Sequence, residues 1–223
     1  AEEMMHTHGS DASMQMHHLH ILMNHGLEMV VEGSNMVMLA DMKMAPSMDS
    51  MTAEHGRGML KSGREVIEHA FKGPEMQAMH KAGHGDAPLM KYTHELAEAE
   101  LSVASLLEKM SMEGPMSADM MTMHHMDIML NHALEMAAQG SNMIMLGQMG
   151  MAGDIDKYSI DHGKMMLSDA KAMMNEVLGG KAMTDMHQKG VVMSNAMMAE
   201  THKIGDAAKK VIDLLDTMAS AGP

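Results

Sequence analysis

The residues best suited to chemistry in this chain are histidines and methionines four positions apart. His25 has Met29 and His132 has Met136. His55 has Met59, and His162 has Met166. His80 has Met76 and His187 has Met183, while His94 has Met90 and His202 has Met198. On a helix, that spacing puts both side chains on one face, within reach of a common ligand. Further donors extend the same faces. Met51 lies one turn before His55, and His18 and His125 lie seven residues before His25 and His132. Met129 completes a stripe of His125, Met129, His132 and Met136. Neutral imidazole and thioether donors suit Cu(I), and Ag(I) by the same softness. One pair supplies two donors, and two facing helices supply enough for a trigonal or tetrahedral site. Several ions per chain are therefore expected. A thioether binds without losing a proton, so only the histidines compete with protons for the metal.

These donors recur because the chain repeats itself. Residues 16–44 and 123–151 share 17 identities in 29 positions, an offset of 107. The second copy, Met123 to Met136, packs three His and four Met into fourteen residues. The offset holds to Gly190 and becomes 108 in the last segment, where His94 aligns with His202. Such a period predicts two units. We expect a flexible Met/His leader over 1–13, a first repeat over 14–112, a linker over 113–117 and a second repeat over 118–223.

Within the first repeat, helix A begins near Met14. It either stops at Gly33-Ser34 or runs through it, since a lone Gly costs only ~1 kcal/mol in a helix. Helix B is expected over 48–71 with Ser47 as its cap. Pro74 opens a short helix C ending near His80. Asp86 is expected to cap helix D, which runs to about Met110 on an apolar stripe of Leu89, Leu96, Val103, Leu106, Leu107 and Met110. The fold class is all-α. Two tandem antiparallel four-helix bundles are the first expectation, and one fused eight-helix body the second.

Composition sharpens this reading. The 223 residues include 39 Met, no Cys, no Trp, one Phe and two Tyr. Strand formers are scarce, whereas Met, Ala, Leu, Glu and Lys favour helix. Seventeen Leu remain, so Met has not simply replaced Leu in a core. Met also stands in polar stretches such as Met4-Met5-His6-Thr7-His8 and Met48-Asp49-Ser50-Met51. The Met load is thus expected to divide between core and ligand-facing positions. Without Cys there are no disulfides, thiolate catalysis or iron–sulfur clusters. Sulfur supplied only as thioether suits an oxidising compartment, because thioethers do not form disulfides. The net charge of −14 disfavours nucleic acid and anionic membranes and favours cations. No apolar run reaches the length of a membrane span. A start at Ala1-Glu2-Glu3 fits a mature periplasmic or secreted chain after signal cleavage.

The His-His motif with Asn131-His132-Ala133-Leu134-Glu135-Met136, together with Asp161-His162-Gly163-Lys164-Met165-Met166, resembles ferritin-like helical-bundle families of bacterial envelopes. One of these, the domain of unknown function 305 class, includes periplasmic Met/His-rich copper-binding proteins. The resemblance implies a copper-binding or copper-resistance role. It implies His125, His132, Met136, His162 and Met166 as ligands, with His18, His25, Met29, His55 and Met59 in the first copy. The expected function is sequestration or storage of Cu(I), without enzymatic activity. A chaperone handing Cu(I) to an exporter or cuproprotein is the first alternative. A ferritin-like di-iron oxidase is a second, and a Met-rich protein-binding module a third. The di-iron reading suffers because Glu-x-x-His occurs only at Glu3 to His6.

Overall fold

The computed structural model describes residues 2–83, 88–112, 118–188 and 195–221. Within these, the side chains of 2–12, 88–89, 118–120, 182, 186–188 and 195–199 are outside the description. The described chain is all-helical, as its composition predicts. Six helices are long: α1 Glu2–Asp41, α2 Asp49–Lys72, α4 Pro88–Ser111, α5 Ala118–Gln148, α6 Asp154–Gly179 and α8 Asn195–Ser220. Two more, α3 Pro74–Lys81 and α7 Lys181–Gln188, have eight residues each. The expectation of two four-helix bundles, or of one eight-helix body, is corrected: each repeat has three long helices and a third element as short as helix C was expected to be. Eight residues rise only about 12 Å, too little to line a bundle. No described helix is long and apolar enough to cross a membrane.

Of the two readings open at Gly33, the continuous helix holds, since α1 and α5 run unbroken through Gly33 and Gly140. Two local expectations change. Helix α1 begins at Glu2 and so takes in most of the segment read as a leader. Ser47 is not the cap of α2. Met48 holds that place with no side-chain cap hydrogen bond. Asp86 and the 113–117 linker lie outside the described residues.

Helix continuity at Gly33 has a packing reason. A Cβ built on Gly33 would lie 2.5 Å from the Gly56 carbonyl oxygen, and one on Gly26 would lie 2.8 Å from that of Gly63. The backbones of α1 and α2 therefore touch at two glycine crossings. Helices α5 and α6 cross the same way at Gly140 and Gly163. What glycine costs in helix propensity is offset by this close approach.

Helices α1 and α5 run antiparallel through the middle of the molecule. Asn24 Nδ2 donates to Asn142 Oδ1 at 2.9 Å, and Asn131 Nδ2 donates to Asn35 Oδ1 at 2.9 Å. Asn24 aligns with Asn131 and Asn35 with Asn142 at the offset of 107, so one contact is made twice with the repeats exchanged. All four amides are buried. One apolar core surrounds this seam, joining Leu27 and Val30 of α1, Leu134 and Ala137 of α5, Leu96 and Val103 of α4, and Ile204 and Val211 of α8.

Because these amides are buried, removing one partner strands the other. Asn142→Ala should destabilise the chain by about 1–3 kcal/mol, read from urea unfolding. Gly56→Ala should also destabilise, because the clash with the Gly33 carbonyl oxygen at 2.6 Å outweighs the ~1 kcal/mol gained in helix propensity. An unchanged or raised unfolding midpoint for either variant would contradict this packing.

Candidate metal centres

The glycine crossing of α1 and α2 brings sequence-expected donors together. Met29 of α1 and Met51, His55 and Met59 of α2 line one surface groove, with Glu54, Gly58 and Ser62 at its sides. A thioether from one helix thus faces two thioethers and an imidazole from the other. Met51 and His55 are exposed, while Met29 and Met59 are half-buried. Met29 and Met59 are the donors nearest the crossing, since a Cβ on Gly33 would meet Met59 Cβ at 3.0 Å.

The second repeat does not copy this groove. Met51 corresponds to Tyr158 and Gly58 to Met165. Tyr158 stacks on His162, with ring centroids 5.8 Å apart and planes within 6°. His162 is exposed and Met136 and Met166 are half-buried, like their first-repeat counterparts. The backbone scaffold is therefore shared, but an aromatic ring stands where the first repeat has a thioether.

A second meeting of expected donors lies between α3 and α4. His80 Nε2 and His94 Nε2 are 3.2 Å apart, and Phe71 meets the His94 ring edge-on at a centroid distance of 5.3 Å. Their partners at four residues do not join them at the surface. Met76 and Met90 are both core residues, 2% and 1% exposed. Met183 is buried too. The reason is helical geometry. Positions four apart are offset by about 40°, so at the edge of a buried stripe one faces the core and the other faces water. His187 and Met198 have side chains outside the described residues, and His202 is exposed.

The stripe on the outer face of α5 is also partly divided. His125, Met129 and His132 are exposed, as are His18 and His25 on α1. His25 Nδ1 lies 3.5 Å from Glu28 Oε2, and His132 Nδ1 lies 3.5 Å from Glu135 Oε2, the same contact in each repeat. Burial raises both carboxyl pKa values. The neighbouring histidine lowers each, and Glu32 pushes both up again. Glu28, Glu32 and Glu135 therefore sense one another across the α1–α5 seam. His18 instead lines a separate apolar groove with Leu19, Leu22, Val66 and His69. Among the described residues, no three of His, Asp and Glu converge in a way that could hold a metal ion. A site built from the described residues must draw on sulfur.

Spacing alone missed the buried polar groups. His17, His20 and His124 are buried; His20 has Met16 and His124 has Met120 four residues before it, but neither pair recurs in both repeats. His20 Nε2 donates to Thr93 Oγ1, and Thr93 Oγ1 donates to Met16 Sδ at 3.4 Å. Glu100 is fully buried in α4 and neither of its oxygens has a hydrogen-bond partner, so burial pushes its carboxyl well up. The sequence signal was an acidic residue inside the apolar stripe of α4.

Helical redundancy has put opposite chemistries at equivalent places. His20 aligns with Asp127. Burial, with a contribution from nearby His17, lowers the His20 pKa from 6.5 to about 4. Burial raises that of Asp127 from 3.8 to about 7. Both side chains are thus neutral between these values. A scan against protein-family models, a search of curated proteins and a search of solved structures return no match for the chain.

The two shifts give opposite pH dependences in the metal-free protein. The unfolded chain protonates His20 first, so that contribution is full above pH 6.5 and is lost as pH falls to about 4. The contribution of neutral Asp127 is full below pH 3.8 and is lost as pH rises to about 7. In the overlap they offset each other. Asp127→Asn should leave stability climbing with pH across that window by up to ~1.4 kcal/mol per unit, and His20→Gln should leave it falling. Urea midpoints at about pH 4.5 and 6.5 read the slopes, and equal slopes in both variants would refute the assignment.

Proposed function

We propose that this chain sequesters soft monovalent metal, taking up several Cu(I) ions and accepting Ag(I) in the same places. The observation that carries this reading is the α1–α2 groove, where Met29, Met51, His55 and Met59 stand together. Three thioethers and one imidazole form a neutral, soft donor set, which favours Cu(I) over Zn(II) or Fe(II). Neutral donors also add no like charges to one another, so they can converge without a bound ion. Exposed Met51, Met129 and Met165 support the reading, because a core has no use for thioethers in water. Thirteen described Met are buried and seven of the largest exposed apolar residues are Met, a division expected of a chain using Met both for packing and as ligand.

The net charge of −14 concentrates cations around the molecule. The architecture we favour is a pair of fused repeats rather than two separate four-helix bundles, since the core and the Asn seam are common to both. A periplasmic or secreted location follows from the Cys-free thioether chemistry. The resemblance to Met/His-rich envelope copper proteins points the same way. A copper exporter or a cuproprotein would be the partner that receives or supplies the ion. Catalysis forms no part of the proposal.

Titration with Cu(I) against a competing chelator, with Zn(II) and Fe(II) as controls, tests it. More than one Cu(I) per chain is expected, with little uptake of the other two. Met29→Leu combined with His55→Ala and Met59→Leu should lower the Cu(I) count while the helical circular dichroism persists. One exchangeable ion per chain would favour delivery over storage, and no bound Cu(I) would defeat the proposal.

A further inference from the structure

Between α1, α5 and α8 lies a small, partly open cavity of about 20 Å³. Met16, His17 and His20 of α1 line it, with Met145 of α5 and Met218 of α8. Every one of these five side chains is buried. The space holds about one water-sized particle and no more. Three thioethers and two imidazoles around so small a space are unusual for a core, which gains nothing from imidazole unless its nitrogens are occupied.

The hydrogen bonds orient both rings. His17 Nδ1 lies 2.7 Å from the Ser13 carbonyl oxygen, which only accepts, so Nδ1 carries the proton. That leaves the lone pair of a neutral imidazole on Nε2, which the Gln148 side-chain amide, 3.4 Å away, meets with its NH2 once the amide is turned over. His20 donates through Nε2 to Thr93, which leaves its lone pair on Nδ1. A metal-binding imidazole held by a carbonyl or hydroxyl through its other nitrogen is the usual arrangement around protein metals.

We propose that this cavity is a single-ion site for a soft monovalent cation, with His17, His20, Met16, Met145 and Met218 as its donors. The inference rests on reading the chain as a soft-metal protein and adds a site outside the His–Met pairs shared by the two repeats, with Met16 four residues before His20 as its one local pair. The lining has no carboxylate. A divalent ion would therefore bring two uncompensated charges into a low-dielectric interior, whereas Cu(I) or Ag(I) brings one. The equivalent place in the other half differs in that respect. There His20 becomes Asp127 and Gln148 becomes Asp41, while Met16, Met145 and Met218 correspond to Met123, Met38 and Met110. The sulfur is common to both halves, and the neutral nitrogen pair belongs to one. An ion in the cavity would link α1 of the first repeat to α5 and α8 of the second. It would leave more slowly than an ion in the α1–α2 groove, since all five of its donors are buried whereas Met51 and His55 are exposed.

The test uses the full chain loaded with Cu(I), then exposed to excess chelator and examined by native mass spectrometry. One ion should stay after the exposed sites have emptied. Met145→Leu with Met218→Leu conserves volume and should fold, with wild-type circular dichroism as the check. That variant should retain no ion, and should lose the several-degree rise in Tm that one equivalent of Ag(I) gives the wild type. The groove variant with Met29, His55 and Met59 replaced should keep both the retained ion and the Tm rise. X-ray absorption of the one-ion form should show nitrogen and sulfur together. A retained ion that survives in the Met145/Met218 variant overturns the cavity site, as does a wild type whose groove loads but retains nothing. Failure of every site to load would instead defeat the functional reading itself.

Discussion

The antiparallel contact of α1 with α5 is the constraint on which the rest of the molecule depends. Two buried amide pairs, Asn24 with Asn142 and Asn131 with Asn35, are the closest polar contacts across this seam. Sliding one helix by a turn would bury four unpaired amides at once. Each would cost about 1–3 kcal/mol, so the register is set by polar satisfaction and the attraction by apolar burial. Even in register the seam is not fully satisfied, because Asn24 Oδ1 and Asn131 Oδ1 find no partner. That residual cost marks specificity as the role of these amides.

From this seam the other helices hang by close packing. Glycines let α2 press against α1 and α6 against α5 until backbones touch. Side chains beside such a crossing are forced together, which is how Met29 reaches the same groove as Met59 and His55. Helices α4 and α8 close the core on the remaining side. Arg64 ties α2 to α4 through Glu108 at 2.5 Å, while α8 supplies Met218 to the small cavity between α1, α5 and α8. Packing and the proposed metal chemistry thus draw on the same residue type, since Met fills irregular space and its thioether is also a soft donor.

Duplication gives the molecule two of everything, and divergence has made the two unequal. Tyr158 stands where the first groove has Met51, and its ring covers His162. Asp127 stands where the cavity has His20. Aligned positions therefore carry soft neutral donors in one half and an aromatic or an acid in the other. Equal backbone places can hold unequal chemistry because the fold asks only that these side chains fit and remain neutral. His20 and Asp127 both satisfy that near mildly acidic pH.

Much of the helical content and the positions of α2, α3 and the expected donors could be read directly from the chain. Local propensity, Pro74 and the i,i+4 spacing of His and Met are properties of neighbouring residues, and a helix turns them into faces without help. Which face looks inward is a different matter. Met76 and Met90 share the spacing of Met29 and Met59, yet the first two are core and the others line a groove. The difference lies in which helix packs alongside, and no local pattern contains that. Likewise, His20 has Met16 one turn before it, but the second copy does not repeat that pair and nothing local marks His17. Their company comes from Met145 and Met218, 128 and 198 residues further along the chain, counted from His17 to Met145 and from His20 to Met218. The sequence by itself determined that the chain is helical, repeated and rich in soft donors. The tertiary structure decided which donors meet, because convergence on a common point depends on interhelical crossings and registers set by the Asn seam and the glycine contacts.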